Sequence, residues 1–171
     1  TRFESGMLAP LDDFIAKDGI DMEKSFGKYA IWGQYDGKYY GIPFRATQSV
    51  VYYNKDMFDQ AGVEYPSDDW TLDEYVETAR KMAEWGKDQG IYGTYTHTYA
   101  NEWATIAAQK GEWYTEDGKC NIKDPAWQKA LEIRKMLDDE GIQMPYGQIV
   151  AAKAAINSSF LGGKEAMVTA G

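Results

Sequence analysis

Tyr35-Asp36-Gly37-Lys38-Tyr39-Tyr40-Gly41-Ile42-Pro43, and after it Val51-Tyr52-Tyr53-Asn54-Lys55-Asp56-Met57-Phe58, is the stretch that decides the architecture. Asp-Gly between aromatic runs predicts a two-residue hairpin turn, because both residues tolerate positive φ. Pro43 cannot donate to a sheet ladder, so Gly41-Ile42-Pro43 ends that pairing. The β-branched and aromatic run up to Tyr53 then reads as a strand of a different sheet. It changes at Asn54-Lys55-Asp56 to a polar turn and a short helix that Gly62 stops. One strand pair is closed off and the chain enters a second region.

Outward from this stretch the pattern alternates between helix and strand. On the N-terminal side, Asp12 lies near the start of a short helix ended by Gly19. Met22 to about Trp32 carries Phe26, Tyr29 and Ala30 at helical spacing, interrupted by Gly27 and Gly33. On the C-terminal side, Thr71 and Glu74 form a capping box ahead of the stripe Leu72, Tyr75, Val76, Ala79, Met82 and Ala83. Ile91 to Tyr95 reads as a buried strand, and Asn101 as the cap of a helix with Trp103, Ile106 and Ala107. Trp113 to Ile122 repeats the Asp-Gly hairpin logic. Asp124-Pro125 places a cap and an N1 proline before a helix whose side carries Trp127, Ala130, Leu131, Arg134 and Leu137, ended by Gly141. Ile149 to Leu161 reads as one small-residue helix ended by Gly162-Gly163, and Glu165 to Thr169 as a strand. This alternation predicts an α/β domain with at least some parallel pairing.

Composition narrows the function classes. With 44% hydrophobic and 15% aromatic residues among 171, the chain is an ordered globule, and no run is apolar enough to span a bilayer. A net charge of −9 without a basic stripe argues against nucleic acid as a partner. Cys120 and His97 are each the only residue of their type, which leaves no Cys-based zinc site, Ser-His-Asp triad or Cys-His dyad. We therefore assign no catalytic residue, no metal and no cofactor. The acid pairs Asp68-Asp69 and Asp138-Asp139-Glu140 read as solvated turn and helix ends rather than a glycosidase pair, and Asp117-Gly118 lacks the alternating oxygen ligands of a calcium loop.

Several motifs occur in a fixed order: Ser5-Gly6-Met7-Leu8 with Leu11-Asp12, then Gly37-Lys38 with Tyr40-Gly41-Ile42-Pro43, then Tyr53 to Phe58. Trp70-Thr71-Leu72-Asp73-Glu74 follows, and finally Phe160 with Gly162-Gly163-Lys164-Glu165-Ala166-Met167. In this order the chain resembles the extracellular solute-binding proteins of the sugar-binding (family 1, maltose-binding-protein-like) type, which serve bacterial ABC importers. The resemblance implies an α/β periplasmic-binding-protein-like fold of type II, a two-lobed clamp that closes on a sugar. Residues 1–43 would be a remnant of the N-terminal lobe with the crossover hairpin, and residues 44–171 most of the C-terminal lobe. It further implies an extracytoplasmic location, periplasmic or as a surface lipoprotein. The implied partners are a mono- or oligosaccharide, the transporter permease and the remainder of the same receptor. Apolar residues of the remnant would then favour self-association.

The resemblance places Tyr99, Asn101, Glu102 and Trp103 on the cleft-facing loop and helix start after a second-lobe strand, where Tyr99 or Trp103 would stack on a sugar face. Trp103 equally suits a position under its helix with Ile106 and Ala107. Arg45, Thr47 and Gln48 follow the crossover, where alternate side chains of an extended segment face the cleft. Arg45 suits either a grip on ligand oxygens or a hinge salt bridge. Trp70, Trp85 and Trp127 read as structural, and Trp113 is open. Two rival functions remain at this point, a receptor for a peptide, amino acid or polyamine, and a glycan-degrading module. The latter needs a separated carboxylate pair.

Overall fold

The computed structural model describes residues 2–96, 100–153 and 155–171, with only the backbone course for residues 100–103, 156 and 157. The chain divides into two compact units, Thr1–Gln48 and Ser49–Gly171.

The first unit contains α1 (Asp12–Lys17), α2 (Met22–Phe26), a 3-10 segment (Gly27–Gly33) and the hairpin β1 (Gln34–Tyr35) and β2 (Lys38–Tyr39). Asp36 and Gly37 sit at φ 48° and 72°, as the two-residue turn requires. α1 is fastened to this hairpin at its start. The Leu11 N–H donates to the Tyr39 carbonyl at 2.7 Å, and the Tyr39 N–H donates to the Asp12 carboxylate at 3.2 Å. The continuous helix expected from Met22 to Trp32 is broken after Phe26. Gly27 turns to φ 54°, and the following residues wind more tightly as 3-10 helix. Ile15, Met22 and Ala30 form the small core, with Leu11, Ile20, Phe26 and Tyr39 packed against it. Residues 40–49 have no regular structure, and Phe44 within them is 95% exposed.

The second unit is built on a sheet ordered β3 (Val50–Tyr53), β5 (Glu165–Ala170), β4 (Tyr92–Tyr95), with β5 antiparallel to β3 and parallel to β4. The parallel pair confirms the α/β expectation. α3 (Lys55–Ala61) starts where the Asn54 side chain accepts from the Met57 N–H at 3.2 Å and ends at left-handed Gly62. α4 (Leu72–Gly86) carries the full capping box, Glu74 accepting from the Thr71 N–H at 2.6 Å and Thr71 from the Glu74 N–H at 3.2 Å. The main core joins Phe58 of α3 with Tyr75, Ala79 and Met82 of α4, and with Ala166 and Met167 of β5. Ile133, Leu137 and Ile142 complete that core.

α5 runs from Ala100 to Ala108 and α6 from Pro125 to Asp139, the latter capped by Asp124 accepting from the Ala126 N–H at 2.9 Å. Four expectations differ from the structure here. Asn101 lies inside the first turn of α5, since Ala100 is already helical, so it is not the cap. On α6 the buried side is Trp127, Ala130, Ile133 and Leu137, whereas Leu131 is 48% exposed. At about 100° per residue Leu131 stands well round the helix from the 130/133/137 line. The segment expected as one helix from Ile149 to Leu161 is two, α7 (Tyr146–Ala152) and α8 (Ile156–Leu161), separated at Lys153 with φ 49°. A straight helix would hold Ile149 and Phe160 about 16 Å apart. The break brings both onto Tyr95 and Val168. The segment from Trp113 to Ile122 is less than a ladder: it has one isolated bridge, Tyr114 with Cys120, around a turn at Thr115–Gly118.

Glu165 opens β5 and is fully buried. The Ser159 hydroxyl donates to Oε1, while Oε2 has no hydrogen-bond partner among the described residues. Burial pushes this carboxyl above the ordinary carboxylate range, with the Ser159 hydroxyl and the Lys164 charge partly offsetting it. The folded state therefore binds the Glu165 proton more tightly than the unfolded one. Its contribution to stability is complete below the unfolded value and is lost as pH rises through the raised one. Glu165→Gln removes this dependence. The melting temperature of the variant minus that of the parent should grow between pH 4 and pH 7 in thermal denaturation; a gap that shrinks with pH would refute a raised carboxyl.

Candidate functional site

Because β4 and β5 are parallel, their carboxyl ends lie along one edge of the sheet, and antiparallel β3 brings its amino end to the same edge. Ligands of open α/β sheets bind outside the carboxyl ends of strands. A cleft of about 170 Å³ lies there. Ser49 and Val50 line it from the start of β3, Thr96 from just past β4 and Thr169 from near the end of β5. Trp70, Thr71, Leu72 and Tyr75 come from the capped start of α4, which is why the capping box bears on the site. Thr105 and Ile106 come from α5, and Gln109 from the turn just past it.

The floor is polar but uncharged. The Tyr75 hydroxyl pairs with the Thr94 hydroxyl, and burial pushes the phenol pKa up while the Thr94, Thr169 and Thr96 hydroxyls pull it back. Tyr75 is thus a neutral hydroxyl at any physiological pH. The Trp70 ring meets Tyr75 edge-on, with centroids 5.5 Å apart at 77°. Among the described residues no Asp, Glu, Lys or Arg lines the cleft. Aromatic faces, hydroxyls and one amide suit a polyhydroxy ligand, whose C–H faces meet rings and whose hydroxyls meet neutral donors and acceptors. The same lining offers no pair of carboxylates for acid–base work at a glycosidic bond.

The expected site residues fall in different places. Tyr99 lies outside the described residues, as do the side chains of Asn101, Glu102 and Trp103, whose backbone forms the first turn of cleft-lining α5. Arg45, Thr47 and Gln48 belong to the first unit and are exposed on its irregular segment. Arg45 there borders a separate hollow with Phe26, Tyr29 and Phe44. Trp70, expected to be structural, is half-buried against the main core and also lines the cleft. Trp85 packs on the main core and Trp127 is buried, whereas Trp113 is half-exposed with its ring 4.5 Å from that of Trp127. Asp138, read from sequence as solvated, instead accepts from the Gln143 side chain and from the Tyr146 N–H at 3.0 Å. It faces back over the α6–α7 loop. Tyr75, Thr96, Thr105, Gln109 and Thr169 were missed; for Thr96 and Thr169 the available signal was their place at or beside the ends of parallel strands.

Residues 1–171 match the family model described as bacterial extracellular solute-binding protein. A Brucella abortus binding protein, BAB2_0491, is 29% identical over 170 residues, which is 96% of this chain and 40% of the relative. The arabinooligosaccharide-binding protein of Halalkalibacterium halodurans is 31% identical over 135 residues, 77% of this chain and 28% of the relative. Among solved structures, the ABC substrate-binding protein Lmo0181 from Listeria monocytogenes, in complex with cycloalternan, superposes with a TM-score of 0.84 at 31% identity, covering 97% of this chain and 43% of that one. The chain thus spans about 40% of the length of the Brucella relative. No helix among the described residues is long and apolar enough to cross a membrane.

Proposed function

This chain belongs to the bacterial extracellular solute-binding proteins, and from that premise we propose that its parent protein is the substrate-binding component of an ABC importer for a neutral mono- or oligosaccharide. The observation that carries the reading is the cleft at the strand carboxyl ends, lined among the described residues by Trp70, Tyr75, threonines and Gln109 with no charged side chain. A receptor for amino acids, peptides or polyamines must pair a ligand ammonium or carboxylate, because an unpaired buried charge is costly. Among the described residues this lining supplies no such partner, so Glu102, whose side chain lies outside the described residues, and Arg45 of the first unit are the charged groups that titration with spermidine and a dipeptide tests. In this reading residues 44–171 form most of the C-terminal lobe and residues 1–43 part of the N-terminal one. The receptor releases its sugar unchanged to a permease. Tyr99 and Trp103 supply stacking rings at the mouth of α5, Asn101 and Glu102 bind hydroxyls, and Arg45, Thr47 and Gln48 contribute from the segment that precedes β3.

Calorimetric titration of the full-length protein with cycloalternan, arabinotriose, spermidine and a dipeptide tests this. Saturable binding of a saccharide without release of reducing ends is expected. Binding of spermidine or the dipeptide alone, or reducing ends accumulating in proportion to protein, would overturn it. Tyr99→Ala and Trp103→Ala should each weaken saccharide binding by ~1–3 kcal/mol, the range found for bases stacked on aromatic side chains. If affinity holds and only the melting temperature falls, these rings belong to the core.

A further inference from the structure

Arg134 of α6 is not among the residues lining the cleft, yet it is bonded to one that is. Its Nη1 donates to the Thr96 carbonyl at 2.8 Å and to Gln143 Oε1 at 3.2 Å. Gln143 is fully buried, and its Nε2 donates to Asp138, whose other oxygen accepts from the Tyr146 N–H at 3.0 Å. One chain of bonds therefore runs from the residue just past β4, through α6, to the first turn of α7. Arg134 Nη2 is buried and has no hydrogen-bond partner among the described residues. Burial opposes the charge on this guanidinium and Asp138 favours it. An apolar side chain at such a position would usually be at least as stabilising. What a guanidinium adds is direction, since the two Nη1 hydrogens that meet these acceptors are fixed in its plane, whereas the three hydrogens of a lysine ammonium rotate.

We infer that Arg134 is a positioning residue for the cleft, holding the Thr96 carbonyl and with it the carboxyl end of β4 where it borders the cleft. Thr96 on one side of residues 97–99, and Thr105, Ile106 and Gln109 on the other, all line the cleft. A shift at Thr96 would therefore change the spacing between the strand end and α5. The affinity consequence rests on the reading of this cleft as the ligand site; the positional one does not.

Hydrogen–deuterium exchange of the full-length protein, followed by mass spectrometry, separates the two. In Arg134→Lys and Arg134→Met, exchange in peptides spanning residues 94–103 should rise about tenfold while peptides from α4 stay as in the parent. Affinity for cycloalternan or arabinotriose, whichever the parent binds, should fall at least tenfold in both variants. An Arg134→Lys protein with parental exchange at 94–103 would overturn the inference. So would an equal rise in the α4 peptides, which would make Arg134 a general packing residue. If the parent binds neither saccharide, the sugar reading fails while the exchange pattern still decides the role of Arg134.

Discussion

Phe58→Ala should lower the stability of the second unit by ~3–5 kcal/mol, the range for truncating a buried phenylalanine. Phe58 has no exposed surface. Its ring packs on Tyr53 and Tyr65, with centroids 5.2 and 6.3 Å away, and through them α3 is held against the sheet. The neighbouring rings are too large and too constrained to collapse into the void, so both the transfer and the cavity contributions are lost. For a domain of this size the melting temperature should drop by roughly 6–20 °C. Urea denaturation gives the free energy directly, and Phe58→Leu, which leaves a smaller void, should lose less. Phe58 is not part of the cleft, so saccharide affinity measured well below the transition should be unchanged. A loss under ~1 kcal/mol would mean that the ring is not tightly enclosed.

What sequence conveyed about this molecule was its local chemistry. The Asp36-Gly37 turn, the polar turn at Asn54, the Asp124 cap, the Thr71–Glu74 box and the helix stop at Gly62 each involve backbone groups within four residues of the residue responsible. Such features need no knowledge of the rest of the fold. The breaks that were missed depend on tertiary packing. Lys153 adopts positive φ because Ile149 and Phe160 have to reach the same small cluster, and nothing in the alanine-rich run around it announces this. The choice between Leu131 and Ile133 depended on which side of α6 faces the core, and a helix with apolar residues on both flanks leaves that open. The cleft was the least legible part. Thr96, Thr105, Gln109 and Thr169 come from separate elements, and only the β3-β5-β4 order sets them around one space. Trp70 shows a further limit, since a ring can pack on the core with one part and border the cleft with another.

Gly93→Ala should cost more than ~3 kcal/mol, beyond the usual range for overpacking, because the added methyl meets backbone rather than a side chain that can swing away. A Cβ on Gly93 would lie 1.8 Å from the Ala79 carbonyl oxygen and 3.1 Å from its Cα. Ala79 is fully buried on α4, and the Gly93 N–H is bonded to the Ile142 carbonyl at 2.8 Å, so β4 is held from both directions. Relief requires moving the strand or the helix by more than an ångström. Either movement reaches the site, since Thr94 bonds the Tyr75 hydroxyl and Thr96 lines the cleft two residues further on. Saccharide affinity should therefore fall together with stability, unlike the outcome for Phe58→Ala. Gly147→Ala is the matched control. Gly147 lies within α7, and a Cβ there meets nothing within 4 Å. Alanine at that position, the second residue of α7, should be neutral or add up to about 0.5 kcal/mol, since the full glycine penalty applies only deeper in a helix. Denaturant unfolding of the two variants beside the parent, with titration of each at 20 °C, decides the matter. A Gly93→Ala protein within ~1 kcal/mol of the parent and with parental affinity would show that α4 and β4 do not approach this closely.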